Sequence, residues 1–518
     1  MRRAIHACLV VLTGSAIYAA QAPTRLPSIQ AGQEDSTAND TTKPPDEQRS
    51  PSEATTVVAS GQAPQAPTPP TAPNQQVQTV MMPQQEITGR QPTLPAIQVG
   101  PAQLRVGGYL GLTGIYRSTN SGGSTGTNFA TTPFKDTVQG NVNETRLSVQ
   151  ASRLSLRVDA EFSEPNKAPR FRNLAGYFEM DFGGVTPGTV AISSGSFGFR
   201  LRQAFATVGY GDTFSLAVGQ AFSLMTPPDN QISMWPADYE LTQAVDTNYV
   251  AGLVWGRFPQ FRATWNPSTR FSWAASLENP EQQIGTNLVT LPECCARELV
   301  AQYNTGSDEL RVPNFMPDVA TRIAFNPIES FHVDAGAVLR VFRHTEPPFT
   351  EAFKKAGFGA SVNLRFNLAE GDKFIVQGSY GSGFGRYIGG LVPDVVFRSD
   401  SSISPIRTWS WVGGIEQEVS KWTFGGYYSG VYIYRNVALD TDGSFIGYGF
   451  PNSSNSNNRL IHEATVTASM KIWGTEERGS IQLSLQGSAL QRKPWAPEEG
   501  LGSAKAGLFF AQIRYNLP

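Results

Sequence analysis

Between residues 479 and 491 the chain reads GSIQLSLQGSALQ, and its side chains sort by parity. Ile481, Leu483, Leu485, Gly487 and Ala489 fall on one face of a strand, and Ser480, Gln482, Ser484, Gln486 and Ser488 on the other. A period of two excludes a helix. The pattern recurs through AGFGASVNLRFNL, FHVDAGAVLRVF and HEATVTASMKIW, so most of the chain must form strands with one oily and one wet face. Two arrangements satisfy such strands: soluble sheets packed on a protein core, or a barrel with lipid outside and water inside.

Composition leaves both open, because a mean hydropathy of -0.25 suits a soluble protein and a one-sided barrel equally. A formal net charge of -2 with 16 % charged residues carries no basic footprint for nucleic acid. The start of the chain decides more. MRRAIHACLVVLTGSAIYAAQAP has two arginines, a short apolar run and small residues, the layout of a secretory signal over residues 1–20, cleaved between Ala19 and Ala22. No later window holds eighteen uninterrupted apolar residues, so any membrane crossing must use strands. Residues 21–100 are crowded with Pro, Gln and Ala, with no aromatic residue as far as Ile97, and read as a disordered spacer. Such a spacer is a plain linker or a contact to the cell wall.

From residue 101 to 518 alternating runs are separated by polar loops, with no linker between them. In ETRLSVQASRLSLRVDAEF the apolar residues Leu147, Val149 and Ala151 are followed by Leu154, Leu156, Val158 and Ala160. That change of phase across Ser152–Arg153 predicts a two-residue hairpin. Long connections such as STNSGGSTGTNFATTPFKDTVQGN and LDTDGSFIGYGFPNSSNSNN contrast with the short ones. Export, unequal loop lengths and strands of about ten residues or more predict an all-β fold, a transmembrane antiparallel β-barrel of roughly sixteen, or eighteen, strands in a bacterial outer membrane. A barrel of that size holds an aqueous channel.

If the apolar faces meet lipid, Arg146, Arg157, Arg200, Arg202, Arg262, Arg340 and Arg365 point into the lumen. Guanidiniums there attract anions and grip carboxylates. Asp159, Glu161, Glu179, Asp181, Glu278 and Asp334 face inward too, so a neutral ladder of salt bridges is the competing reading. The long segment Thr226 to Asn248 either faces outward or folds in to narrow the channel, which makes Asp229, Asn230, Asp238 and Glu240 constriction candidates.

Signs of catalysis are thin. His332, His344 and His462 lack metal-ligand spacing, so no catalytic residue, metal or cofactor is expected. Cys294 and Cys295 are adjacent and staple nothing distant; free thiols, a vicinal disulfide and a redox or metal site all remain open. The expected protein is a passive channel rather than an enzyme, and its rivals are an envelope-anchoring barrel and a hydrolase using His332 or His462.

GYFEMDFGG, FRLRQAFATVGYGDTFSLAVGQAFSLM and FRATWNPSTRFSWAASLENP, in that order, resemble the DcaP-like family of outer-membrane porins. The resemblance implies a homotrimer of sixteen-stranded channels passing small hydrophilic, preferably anionic, organic solutes, and it carries over Arg200 and Arg202 from the Arg-x-Arg strand. Gln203 stands where that family's pattern has a histidine, and the last aromatic is Tyr515.

Overall fold

The alternating runs become the walls of one closed barrel. The computed structural model describes residues 96–121, 124–161, 171–185, 197–211, 213–228, 230–235, 242–305, 312–349, 351–369, 371–475, 477–497 and 501–518. The signal and nearly all of the spacer expected over residues 1–100 lie outside the described residues, as do Asp229, Asp238 and Glu240.

In chain order the wall strands are β1 (Ala102–Arg117), β2 (Glu144–Ser148 continued by Arg153–Glu161), β3 (Phe171–Asp181), β4 (Arg200–Tyr210), β5 (Phe214–Phe222) and β6 (Arg257–Ser268). Then come β7 (Phe271–Glu278), β8 (Asp318–Ile328), β9 (Phe331–Thr345), β10 (Ala352–Ala369) and β11 (Asp372–Ser382). The circuit ends with β12 (Arg407–Val419), β13 (Trp422–Ile433), β14 (Asn458–Thr475), β15 (Gly479–Pro494) and β16 (Ala504–Asn516). Each pairs antiparallel with the next, and β16 returns to β1 from Tyr109 opposite Asn516 to Arg117 opposite Leu508. The result is a closed 16-strand barrel, which settles the strand number. Closure leaves no sheet edge, as a wall in hydrocarbon requires.

The hairpin expected at Ser152–Arg153 is instead a β-bulge. Ser148 pairs with Thr113, and Arg153 pairs with Tyr109 on the same strand, so five steps along β2 span four along β1. One inserted residue reverses side-chain parity just as a tight hairpin does, which is why the pattern alone could not separate them. Ser152 Oγ accepts from Gly111 N at 3.0 Å and bonds Gly111 O at 3.2 Å, so the bulge is tied to β1. Opposite it, Gly108 has φ +118, and a Cβ there would lie 2.2 Å from Arg153 O. Only glycine permits that approach.

Turns at 269–270, 329–330 and 420–421 close one end of the barrel, while connections at 118–143, 223–256, 279–317, 383–406 and 434–457 crowd the other. Leu339, Phe358, Val362, Val466, Phe509 and Ile513 project outward and are exposed, forming an apolar outer face. The wet face of GSIQLSLQGSALQ turns inward, with Ser484, Gln486 and Ser488 buried. Inside the long-loop end lies a second core. Leu224, Met225 and Val254 from the 223–256 connection meet Phe384, Tyr387, Val396 and Phe397 from the 383–406 connection. Apolar burial holds these loops in the barrel rather than in solvent.

Candidate functional site

The 223–256 connection joins β5 to β6 yet reaches strands across the barrel. An irregular backbone there needs partners for its N–H and C=O groups, since a buried unpaired one costs about 1–3 kcal/mol. Wall side chains supply them. Gln486 Oε1 on β15 accepts from Val245 N at 2.6 Å and Asp246 N at 3.0 Å, and Glu463 Oε2 on β14 accepts from Ala251 N at 3.0 Å. Gln377 Oε1 on β11 accepts from Val254 N at 3.1 Å, and Tyr427 Oη on β13 accepts from Gln243 N at 2.9 Å. Near the loop's start, Glu278 Oε1 accepts from Leu224 N at 2.7 Å, while Arg322 donates to Leu224 O at 2.6 Å and to Met225 O. The loop is pinned across the lumen by side chains that read as unremarkable polar positions in the sequence.

Its far part also meets the 118–143 connection. Asp246 accepts from Thr127 N at 3.1 Å and from Asn248 N at 2.9 Å, and Asn248 Nδ2 donates to Thr127 O at 3.0 Å. Burial pushes the Asp246 carboxyl above its usual range, against those donors and the charge of Arg117. Of the four constriction candidates, Asn230 is described: it is exposed and accepts from Arg365 Nη2 at 2.6 Å.

The seven expected arginines divide by environment. Arg340 is 1 % exposed and donates to Asp394 at 2.7 Å, Asp318 at 3.1 Å and Gly383 O at 2.7 Å. Tyr387 Oη bonds the same Asp318 at 3.0 Å, so the cluster ties β8 and β9 to the 383–406 connection. Arg262 is buried on Gln260 Oε1 at 2.9 Å and Phe222 O at 2.6 Å. Arg146 lies 3.3 Å from Glu144, which also holds the buried Arg117 at 2.6 Å. Arg157 is chelated by Asp159 and lies over the Trp235 ring at 4.1 Å. Arg340 is ion-paired to two aspartates as the salt-bridge reading has it, whereas Arg262 is bonded to an amide and a backbone carbonyl; both are buried away from a solute.

Arg200 and Arg202 stand elsewhere. Across β1 to β4 the register aligns Tyr109, Arg153, Asp181 and Arg200 in one row. Asp181 accepts two bonds from Arg200, at 3.0 and 2.7 Å, and one from Arg202 at 3.0 Å, while Glu179 takes Arg202 Nε at 2.6 Å. Arg257 opens β6 and lies 5.7 Å from both the Phe222 and Trp255 rings. Among the described residues this stretch brings Arg153, Arg200, Arg202 and Arg257 near the carboxylates of Glu179 and Asp181, and Arg153 and Arg202 have further partners besides. Arg202 is buried, but the Arg200 side chain is 44 % exposed.

Sequence reasoning missed Arg153, Arg257 and Arg322. Arg153 was placed in a turn, and the bulge is what returns it to the inner face. Arg257 opens a strand directly after a long loop, where parity has no anchor. The histidines of the hydrolase reading are occupied: His332 bonds Asn326 Oδ1 at 2.7 Å and Asp334 at 3.1 Å, and His462 bonds Tyr428 Oη at 3.1 Å and Gln491 at 3.0 Å.

No protein-family model matches the sequence, and no curated protein does. Among solved structures the chain is similar to the crystal structure of the outer membrane channel DcaP of Acinetobacter baumannii, with a TM-score of 0.60 at 14 % identity, over 82 % of this chain and 99 % of that one. The fold is that of a DcaP-like porin. Looser matches are OmpT of Vibrio cholerae in its trimer form (TM-score 0.43, 10 % identity, 80 % of this chain and 99 % of that one) and Salmonella typhi OmpF in complex with daunomycin (0.44, 8 %, 82 % and 100 %). The family resemblance in the strand motifs therefore holds at the level of the barrel.

Proposed function

We propose that this barrel is an outer-membrane porin through which small hydrophilic solutes diffuse, with a preference for anionic organic compounds. The observation that supports the preference is Arg200, whose side chain stays 44 % exposed at the end of the row Tyr109, Arg153, Asp181 and Arg200. Fixed positive charge in a narrow, low-dielectric passage concentrates anions and repels cations. In this reading residues 1–20 direct export, residues 21–100 are a spacer, and the barrels assemble as homotrimers. Asn230 and the neighbouring Asp229, Asp238 and Glu240 belong to the constricting loop, and neither cofactor nor metal takes part.

A second reading, a closed barrel that anchors the envelope, draws on the apolar core that fills the long-loop end. Proteoliposome swelling separates the two. A porin admits small sugars and admits a monoanion faster than a cation of equal size; a closed barrel leaves the vesicles unresponsive to all three.

A further inference from the structure

Where the 279–317, 383–406 and 434–457 connections meet, two adjacent thiols stand in unlike surroundings. Cys294 is exposed, whereas Cys295 is 3 % exposed and opens the short helix Ala296–Val300, its carbonyl accepting from Leu299 N at 3.0 Å. Their Sγ atoms are in contact at 2.7 Å. The chain leading to them is fastened: Glu293 N donates to Asp440 Oδ2 at 2.9 Å, and Thr290 exchanges backbone bonds with Gly447 at 3.0 and 2.8 Å. Behind the pair, Cys295 Sγ lies 3.3 Å from Ser401 Oγ, which donates to Glu346 Oε2 at 2.7 Å. Glu346 Oε1 in turn lies 3.3 Å from Nε2 of the buried His344. Since the Ser401 proton is committed to Glu346, its oxygen is left to accept from the Cys295 thiol. One thiol therefore faces solvent, and a second sits behind it with a path for its proton to a carboxylate.

We propose that Cys294 and Cys295 form a modification site for small organic disulfides, which oxidise the pair to a vicinal disulfide. Burial above all pushes the Cys295 thiol up, so Cys294 attacks first. Its thiolate displaces one half of the organic disulfide, leaving a mixed disulfide on Cys294 and a free thiolate that takes up the proton Cys294 lost. Cys295 then gives its proton through Ser401 towards Glu346 and attacks Cys294 Sγ, and the second half leaves as a thiolate that takes up that proton. In balance the protein loses two hydrogen atoms, and one organic disulfide becomes two thiols. Adjacent Cα atoms lie about 3.8 Å apart, below the span of about 4.4–6.8 Å of ordinary bridges, so the product is a labile bridge rather than a structural one. Neither step involves the lumen, so the site stands apart from the channel reading.

The test exposes the detergent-folded full chain to oxidised glutathione and reads, by mass, the peptide that holds Cys294 and Cys295. Expected in the wild type is an internal disulfide without glutathione, reversed by dithiothreitol. Cys295→Ser should stop at one glutathione on Cys294, Cys294→Ser should stay unmodified, and Glu346→Gln should accumulate the glutathione adduct that the wild type clears. A wild type whose two thiols remain free overturns the proposal, as does one that keeps glutathione on Cys294. So does a Cys294→Ser variant modified as fast as the wild type, or a Glu346→Gln variant that clears its adduct as fast. The wild-type outcomes decide the matter even if a variant fails to fold.

Discussion

Two parts of the wall hold the same residue type in different surroundings. Around β8 and β9, Arg322 and Arg340 are about 1 % exposed and locked onto Asp334, Asp318 and Asp394, with backbone carbonyls taking further donors. Around β2 to β6, Arg153, Arg200, Arg202 and Arg257 lie near Glu179 and Asp181 among the described residues, and Arg200 keeps much of its side chain in solvent. Arginine at an inward parity is therefore not by itself a pore charge. On the proposed reading, what separates a brace from a pore charge is whether water reaches the group.

The largest effect that sharpens this contrast belongs to the braced side. Arg340→Met leaves buried Asp394 without its ion-pair partner and Asp318 with only Arg386, 3.6 Å away, and the barrel should lose about 3–5 kcal/mol. The temperature at which the folded band disappears from unheated gels should drop accordingly; an unchanged temperature would show that the cluster does not brace the fold. The loop between the two sides comes next. Gln486→Leu strands the N–H groups of Val245 and Asp246, a loss of about 1–3 kcal/mol, and should produce noisier single-channel current as the loop leaves its seat.

A smaller effect comes from Asp246, whose raised carboxyl pKa favours the neutral form in the fold. The stability it lends to the junction with Thr127 is complete below the ordinary aspartate range and is lost as pH rises through the raised value. Current noise should therefore increase with pH above about 4 in the wild type and stay flat in Asp246→Asn. Least of all, Arg200→Gln should shift stability by about 1 kcal/mol or less, since half-exposed pairs contribute little. A loss as large as that of Arg340→Met would erase the distinction between the two sides.

The barrel was legible because lipid outside and water inside impose a strict period of two, visible in Leu339, Phe358 and Val466 against Arg340, Gly359 and Thr465. The bulge at Val149–Ser152 was not, since one inserted residue and a tight hairpin leave the same trace in parity. Arg340 could be placed on the inner face but not recognised as a brace, because Asp394 comes from a connection more than fifty positions along the chain and no local pattern announces it. The seat of the 223–256 loop was hidden for a related reason. Gln486, Glu463 and Gln377 look like any inward polar residue until a backbone from across the barrel is laid over them.

Whether the β2 to β6 arginines set the sign of selectivity is read directly from the reversal potential of single channels under a salt gradient. The account predicts an anion-favouring potential in the wild type that collapses towards zero in Arg153→Gln/Arg257→Gln, more steeply at low ionic strength, where screening is weakest. A cation-favouring wild type, or a double variant with an unchanged potential, would contradict it.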